Sequence, residues 1–279
     1  MREVDASQVT QAVRDLCIQA NCALPPDVPC ALRQARDAED GPAARAALDA
    51  ILDNVRVAAE DDAPLCQDTG MACVLVEIGQ DVHVRGDLRA AVDEGVRQGY
   101  TDGCLRKSMV ADPLRRVNTN DNTPAFVTFD VRPGDALRIV VAPKGGGSEN
   151  MGAVRMLVPA QGRQGVVDFV VDTVRKAGPN PCPPVVVGVA VGGNLDAAPT
   201  LARRALMREL GSHNPDPYYA QLEDELLERI NQLGIGAQGF GGATTALAVN
   251  VEAMPTHIAC LPVAVCLNCH VARHAEAVL

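Results

Sequence analysis

Four loops of the chain carry residues whose types suit chemistry better than packing. The first, residues 64–70, reads Pro-Leu-Cys-Gln-Asp-Thr-Gly and places the thiol of Cys66 two residues before the carboxylate of Asp68. A thiolate is a soft metal ligand, and a carboxylate can accept or donate a proton. We interpret this loop as a metal ligand beside an acid/base group. The alternative is an Asx-type turn with an incidental cysteine.

The second loop, residues 144–150, reads Lys-Gly-Gly-Gly-Ser-Glu-Asn. Three consecutive glycines allow backbone N–H groups to approach a ligand closely, although a plain flexible loop can have the same composition. A P-loop is excluded because the lysine precedes the glycines. A dinucleotide-binding fingerprint is excluded because the glycines do not follow the G-x-G-x-x-G spacing before a helix.

The third and fourth loops carry further cysteines. In Asn-Pro-Cys-Pro-Pro, residues 180–184, prolines on both sides fix the backbone around Cys182, which a cysteine used only for packing does not need. A C-x-x-C pair in the fourth loop suggests zinc or a redox pair, but no second pair or thioredoxin-like unit accompanies it. The cysteines of the fourth loop, residues 257–270, are Cys260, Cys266 and Cys269.

Three cysteines from separate loops can hold an iron–sulfur cluster and leave one iron open. An open iron acts as a Lewis acid on a substrate oxygen, and a nearby base can remove a proton from the adjacent carbon. Together these two functions make a hydro-lyase. The mechanism requires Cys66, Cys182 and one of the last three cysteines to converge, which the sequence alone leaves open.

The helices and strands that must position these loops can be predicted from the sequence pattern, which indicates a mixed α/β fold. We expect an N-terminal helical segment, residues 1–62, whose first helix is capped by Ser7, and then an α/β catalytic domain, residues 63–279, in one continuous unit. Residues 126–131 and 137–142 should pair as a hairpin. Helices are further predicted at 43–60, 88–100, 166–177, 198–210 and 218–233, and strands at 74–78, 185–191, 245–251 and 258–265.

Composition and charge narrow the class of protein. The 279 residues carry a net charge of −10, which argues against a nucleic-acid partner. No apolar run approaches the roughly 20 residues of a membrane span, and the N-terminus is too polar for a signal segment. We therefore expect a cytoplasmic protein with no membrane partner. In that compartment its ten cysteines should be thiols rather than disulfides.

Taken in order along the chain, four motifs resemble the iron–sulfur (class I) fumarase family. They are Cys-Gln-Asp-Thr-Gly at 66–70, Lys-Gly-Gly-Gly-Ser at 144–148, Cys-Pro-Pro at 182–184 and Gly-Ile-Gly-Ala-Gln at 234–238. The likeness is greatest to the α subunit of the two-chain form and covers residues from about 10 to 275. It implies a fumarate hydratase that interconverts fumarate and (S)-malate, with a place in the tricarboxylic acid cycle.

The resemblance also implies the site. A [4Fe–4S] cluster would be held by Cys66, Cys182 and Cys269, the last chosen because His257 and Pro262 reproduce the frame that precedes the family's third ligand. Asp68 and His257 would be catalytic. The residues implied to bind substrate are Gln67, Arg106, Gly145, Gly146 and Gly147, with the arginine binding a carboxylate through its planar fork.

Single-chain members of the family carry a further C-terminal domain, and we expect this chain to rely on a separate β subunit instead. The resemblance thus implies an α2β2 assembly, an active site at the α–β junction and a dicarboxylate substrate. Tartrate dehydratase α subunits share the first and third loops, and a mesaconase-type hydro-lyase is a related alternative. Lys144 and Ser148 favour fumarase. A different alternative is a zinc-stapled, non-catalytic interaction subunit that uses the fourth-loop cysteines and His270.

Overall fold

The computed structural model describes residues 1–279 and confirms a mixed α/β fold. The strands are β1 (Arg2–Asp5), β2 (Met71–Gly79), β3 (Val82–Arg85), β4 (Phe126–Arg132), β5 (Leu137–Lys144), β6 (Ala153–Leu157), β7 (Val185–Gly193), β8 (Ala246–Thr256), β9 (Leu261–Asn268) and β10 (Ala275–Val278). The helices are α1 (Ala6–Cys22), α2 (Asp27–Asp37), α3 (Pro42–Glu60), α4 (Leu88–Asp102), α5 (Gly146–Glu149), α6 (Gly162–Ala177), α7 (Ala197–Ala205) and α8 (Pro217–Asn231). None of these helices is both long enough and apolar enough to cross a membrane.

The chain forms two compact units. The first comprises Met1–Pro25, Val55–Gly146 and Arg273–Leu279, and the second comprises Pro26–Asn54 and Gly147–Ala272. This division differs from the expected segments 1–62 and 63–279. The reason is that the apolar face of α1 is part of the hydrophobic core of the first unit, whereas α2 belongs to the second.

Helices α1 and α4 pack closely in the first unit. The cap of α1 is Asp5, whose side chain accepts the Ser7 N–H, and not Ser7 as the sequence suggested. A Cβ atom at Gly95 of α4 would lie 2.7 Å from the carbonyl oxygen of Thr10, and one at Gly99 would lie 2.7 Å from the Cβ atom of Cys17. Two glycines one turn apart therefore allow the close approach of the helices.

The first unit contains a four-stranded sheet in the order β10-β5-β2-β4. The predicted hairpin between 126–131 and 137–142 is wrong, because β2 lies between these strands, parallel to β4 and antiparallel to β5. The connection from β4 to β5 crosses the end of β2, where the Gly79 N–H donates to the carbonyl of Ala136 at 2.9 Å. A Cβ atom at Gly79 would lie 2.4 Å from the Gly134 oxygen, so a glycine is required for this crossing.

The second unit contains a sheet in the order β6-β9-β7-β8. Helices α6 and α8 cover one face with valine, leucine and isoleucine, and α7 covers the other with alanine. The central strand β7 is buried on both faces, as its β-branched run predicts. Since β7 and β9 are antiparallel, the residues just before β7 and just after β9 lie at the same end of the sheet.

Candidate active site

In the first unit, the loop before β2 fixes a carboxylate beside a thiol. Asp68 accepts hydrogen bonds with both oxygens, Oδ1 from the Gly70 N–H at 3.1 Å and Oδ2 from the Gly146 N–H at 2.8 Å. The Asp68 N–H in turn points at Cys66 Sγ, 3.4 Å away. The first loop and the start of the glycine-rich loop are therefore in direct contact, and glycine suits that contact because a Cβ atom at Gly145 would lie 3.2 Å from Asp68 Oδ2.

Three buried side chains hold this loop from behind by donating to the carbonyls of residues 68–70. Arg273 Nη2 donates to the first carbonyl, the Tyr100 hydroxyl to the second and third at 2.9 and 3.0 Å, and Asn122 Nδ2 to the third at 3.1 Å. Burial raises the pKa of the Tyr100 phenol well above its usual range, so the hydroxyl stays protonated and able to donate. The sequence motifs do not indicate any of these three supporting side chains.

The predicted substrate-binding arginine lies next to the same loop. The Thr69 hydroxyl donates to the backbone carbonyl of Arg106 at 2.9 Å. The side chains of Arg106 and Gln67 are both exposed. The first unit thus brings together Gln67, Asp68, Arg106, Gly145 and Gly146 of the predicted set.

In the second unit, Cys182 stands on an exposed loop tip between buried prolines, in a left-handed backbone conformation with φ = 54°. Its carbonyl accepts the His270 N–H at 3.2 Å and lies 3.0 Å from His270 Nδ1. Gln238 Nε2 also lies 3.0 Å from that Nδ1, and the Gln238 N–H donates to the Pro183 carbonyl at 2.7 Å. The Cys-Pro-Pro motif, the Gly-Ile-Gly-Ala-Gln motif and the end of the fourth loop therefore meet.

The same geometry separates the three cysteines of the fourth loop. Cys269 directly precedes His270 and so lies at the end of the sheet that carries Cys182. Cys266 is inside β9, with its thiol 3.9 Å from the Pro199 carbonyl. Cys260 precedes β9, and nine residues of extended chain place it about 30 Å from Cys269. This arrangement supports Cys269 as the cysteine that acts with Cys182.

His257 lies away from Cys182 and Cys269 within the second unit, next to Cys260, whose N–H donates to its carbonyl at 2.8 Å. It follows β8, which runs parallel to β7, so the length of the strand places it about 30 Å from Cys182. Its exposed ring accepts the Ala259 N–H at 3.2 Å and lines a separate cavity of about 300 Å³ with Tyr218 and Ile258. The geometry of the unit does not bring His257 to Cys182 or Cys269, and its catalytic role stays a prediction.

The comparison with protein families matches residues 10–278 to the model described as fumarate hydratase (fumerase). The chain belongs to the fumarate hydratase family. Its relatives include the "Putative L(+)-tartrate dehydratase subunit alpha" of Methanocaldococcus jannaschii, 40% identical over 96% of this chain and 96% of the relative. The proteins named L(+)-tartrate dehydratase subunit alpha in Escherichia coli and Shigella sonnei are 33% identical over 94% of this chain and 88% of the relative.

Fumarate hydratase family membership raises the question of whether the residues present fit an iron–sulfur cluster. None of the ten cysteines forms a disulfide, and each unit presents accessible thiols on its motif loops. Cys66 Sγ accepts the Asp68 backbone N–H at 3.4 Å, so this N–H points at the sulfur atom. Arg273 is buried, and its Nε and Nη1 atoms have no hydrogen-bond partner, so an anionic group near this loop is electrostatically favourable. The donor chemistry fits a thiolate-bound cluster.

The zinc-stapled alternative does not fit this member of the fumarate hydratase family. A structural zinc needs four ligands within about 2.3 Å of one point. Cys260 and Cys269 lie about 30 Å apart along β9, so they cannot share one ion.

Proposed function

We propose that the chain is the α subunit of an iron–sulfur hydro-lyase that acts on a four-carbon dicarboxylate, with L-tartrate as its substrate. The observation that carries the proposal is the 66–70 loop, in which the Asp68 carboxylate is held through both oxygens beside the Cys66 thiol. The choice of tartrate rests on the names of the relatives, which cover nearly the whole chain.

Cys66, Cys182 and Cys269 are the proposed ligands of a [4Fe–4S] cluster. When bound, the cluster supplies an open iron that polarises a substrate hydroxyl as a Lewis acid. The cysteines have only to present thiolates, and the Cys182 loop suits that task because prolines fix its backbone and its tip is exposed.

Asp68 is the proposed proton carrier at the substrate carbon next to the carbon that bears the hydroxyl. Its backbone hydrogen bonds hold the carboxylate in one orientation, which general acid–base catalysis requires. Because the Gly146 N–H is donated to Asp68, we assign that amide to orienting the carboxylate rather than to binding substrate. Gly145 and Gly147 stay in the proposal as backbone donors to substrate.

Arg106 is the proposed carboxylate-binding residue. Its guanidinium is exposed and can form two parallel hydrogen bonds with one substrate carboxylate. Gln67, also exposed on the same face of the loop, is the proposed amide contact. These two residues bind and orient the substrate, whereas Asp68 moves the proton.

Fumarate is the second candidate substrate, and mesaconate the third. Lys144 and Ser148 match fumarase at the glycine-rich loop, but both side chains are buried, so they shape the loop from inside. We therefore weigh them less than the names of the relatives. Those names give no support to a place in the tricarboxylic acid cycle, which is not part of the proposal.

A separate β subunit is the proposed partner, because the relatives are named α subunits. A second reason is charge. This chain carries 35 acidic against 25 basic residues, and Arg106 is the one cation that we assign to substrate, whereas a dicarboxylate offers two anions. We propose that the partner supplies the remaining cations, in an α2β2 assembly.

The deciding experiment is metal analysis and turnover on the α and β chains produced together without oxygen. We expect about four iron and four sulfide per α chain, and kcat/KM highest on L-tartrate when tartrate, fumarate and mesaconate are compared. Cys66→Ser and Cys182→Ser should lower the iron content, whereas Cys30→Ser, at an exposed position on α2, should not. Zinc, or no sulfide after reconstitution, overturns the proposal; a preference for fumarate moves it to the second candidate.

A further inference from the structure

We propose that Asn122 is a positioning residue that fixes the spacing between the Asp68 loop and the Arg106 loop. The inference rests on the proposed function, in which Asp68 moves a proton and Arg106 binds a carboxylate. Asn122 touches neither of them directly. It lies in the connection between α4 and β4, outside all four motif loops.

The amide of Asn122 uses its two ends on two different loops. Oδ1 accepts the N–H groups of Ser108 at 2.7 Å and Met109 at 3.2 Å, just after Arg106. Nδ2 donates to the carbonyl of Gly70 at 3.1 Å, just after Asp68. The side chain is completely buried, so water does not compete for these bonds.

The backbone at this position also favours asparagine. Residue 122 adopts φ = 62°, a left-handed conformation that asparagine and aspartate tolerate better than other residues with a side chain. An ionised aspartate can only accept hydrogen bonds, whereas asparagine offers both a donor and an acceptor. The backbone and the two-loop bridge therefore select the same residue type.

A second bond ties the same two loops. The buried Thr69 hydroxyl donates to the carbonyl of Arg106 at 2.9 Å. Tyr100, by contrast, donates only to the 68–70 loop. The bridge between the loops thus consists of Asn122 and Thr69.

The spacing of these loops matters because one substrate must meet both. A substrate carboxylate seated on Arg106 fixes the distance at which the reacting carbon faces Asp68. A displacement of about 1 Å at a reacting centre can cost about 100-fold in rate. Loosening the bridge should therefore change both substrate affinity and turnover without removing either functional group.

The test uses Asn122→Asp in the α–β complex with its cluster. Aspartate keeps the volume, the left-handed backbone and the acceptors for Ser108 and Met109, but loses the donor to Gly70. We expect KM for the dicarboxylate to rise about tenfold and kcat to fall about 10- to 100-fold, with iron content unchanged. The matched control is Asn120→Asp, an exposed residue with φ = 64°, which should stay within about twofold of wild type.

Thr69→Val provides an independent variant, since it breaks the second link without burying a charge and decides the question if Asn122→Asp does not fold. It should raise KM in the same direction. In the Arg106→Ala background neither variant should raise KM further, because residues that act through one another are not additive. A merely structural role predicts KM effects that multiply.

The outcomes separate this inference from the function on which it rests. A wild-type complex that turns over none of tartrate, fumarate and mesaconate overturns the proposed function and this inference with it. An active wild type whose Asn122→Asp variant matches Asn120→Asp overturns the role of Asn122 alone. If Asn122→Asp does not fold, a Thr69→Val variant that matches Asn120→Asp overturns it, and so do KM effects that multiply with Arg106→Ala.

Discussion

Three positions separate Cys266 from Cys269, and the strand gives them different surroundings. Within β9 the thiol of Cys266 faces α7, whose Pro199 carbonyl it contacts. Cys269 follows the last residue of β9 and adjoins the Cys182 loop through the backbone of His270. The spacing in the sequence does not show which of these two thiols is the ligand. The end of β9 distinguishes them, because only Cys269 lies beyond it.

Replacement of each cysteine in turn should show this difference. We expect Cys269→Ser to lower iron and sulfide together, because serine is a poorer ligand for soft iron. Cys266→Ser should leave both unchanged and at most lower the melting temperature. Iron and acid-labile sulfide assays on oxygen-free preparations measure the effect. Loss of iron in Cys266→Ser with retention in Cys269→Ser would contradict the assignment.

The carboxylate of Asp68 allows a second prediction. Asp68→Asn keeps one oxygen acceptor for the backbone amides but removes the ionisable group, so turnover should fall about 10²- to 10⁴-fold while iron content stays the same. Asp61→Asn, at an exposed position before the loop, is the control and should keep wild-type turnover. Near-normal turnover in Asp68→Asn would remove this residue from the mechanism.

Among the elements, periodic segments were predictable and long-range pairings were not. The apolar periodicity of α4 and α6 and the β-branched run of β7 appear in the structure within a few residues of their predicted bounds. The position of β2 between β4 and β5 depends on a crossing at Gly79, which no local pattern encodes. Motif loops could be recognised because unusual residues cluster there.

The supporting layer behind the 66–70 loop was missed for a related reason. Tyr100 lies on the apolar face of a helix and Asn122 lies in a polar connection, so each looks ordinary in its own segment. Their roles arise from hydrogen bonds over 30 to 52 residues of sequence separation. Such bonds are a property of the tertiary fold.

The close contact of α1 with α4 leads to a prediction about the stability of the fold. Gly95→Ala should lower the free energy of unfolding by about 1–3 kcal/mol, since the added methyl group overlaps Thr10 and Val13. Arg97→Ala, on the exposed face of the same helix, should change it by no more than about 0.5 kcal/mol. Urea denaturation of the two variants measures both values. Stabilisation by Gly95→Ala, as in an isolated helix, would refute the close packing.

At the scale of the whole molecule, the functional loops are shared between two compact units. The first unit holds Cys66, Asp68 and Arg106, and the second holds Cys182 and Cys269. Neither unit contains the full set of proposed ligands. The proposed ligands therefore come from both units of one chain, and proposed substrate contacts come from a partner chain as well.

The dependence on a partner leads to the last prediction. The α chain alone should have less than about 1% of the turnover of the α–β complex, because removing one strong charge-assisted contact to a substrate carboxylate costs about 1.5–3 kcal/mol and the partner is proposed to supply more than one. Separately purified α and β chains, mixed without oxygen, should recover activity that saturates with the β chain. Arg106→Ala α chain, mixed in the same way, is the control for binding of β without productive substrate binding. Robust turnover by the isolated α chain would show that its own residues complete the site, and the net charge of −10 would then have no bearing on the partner.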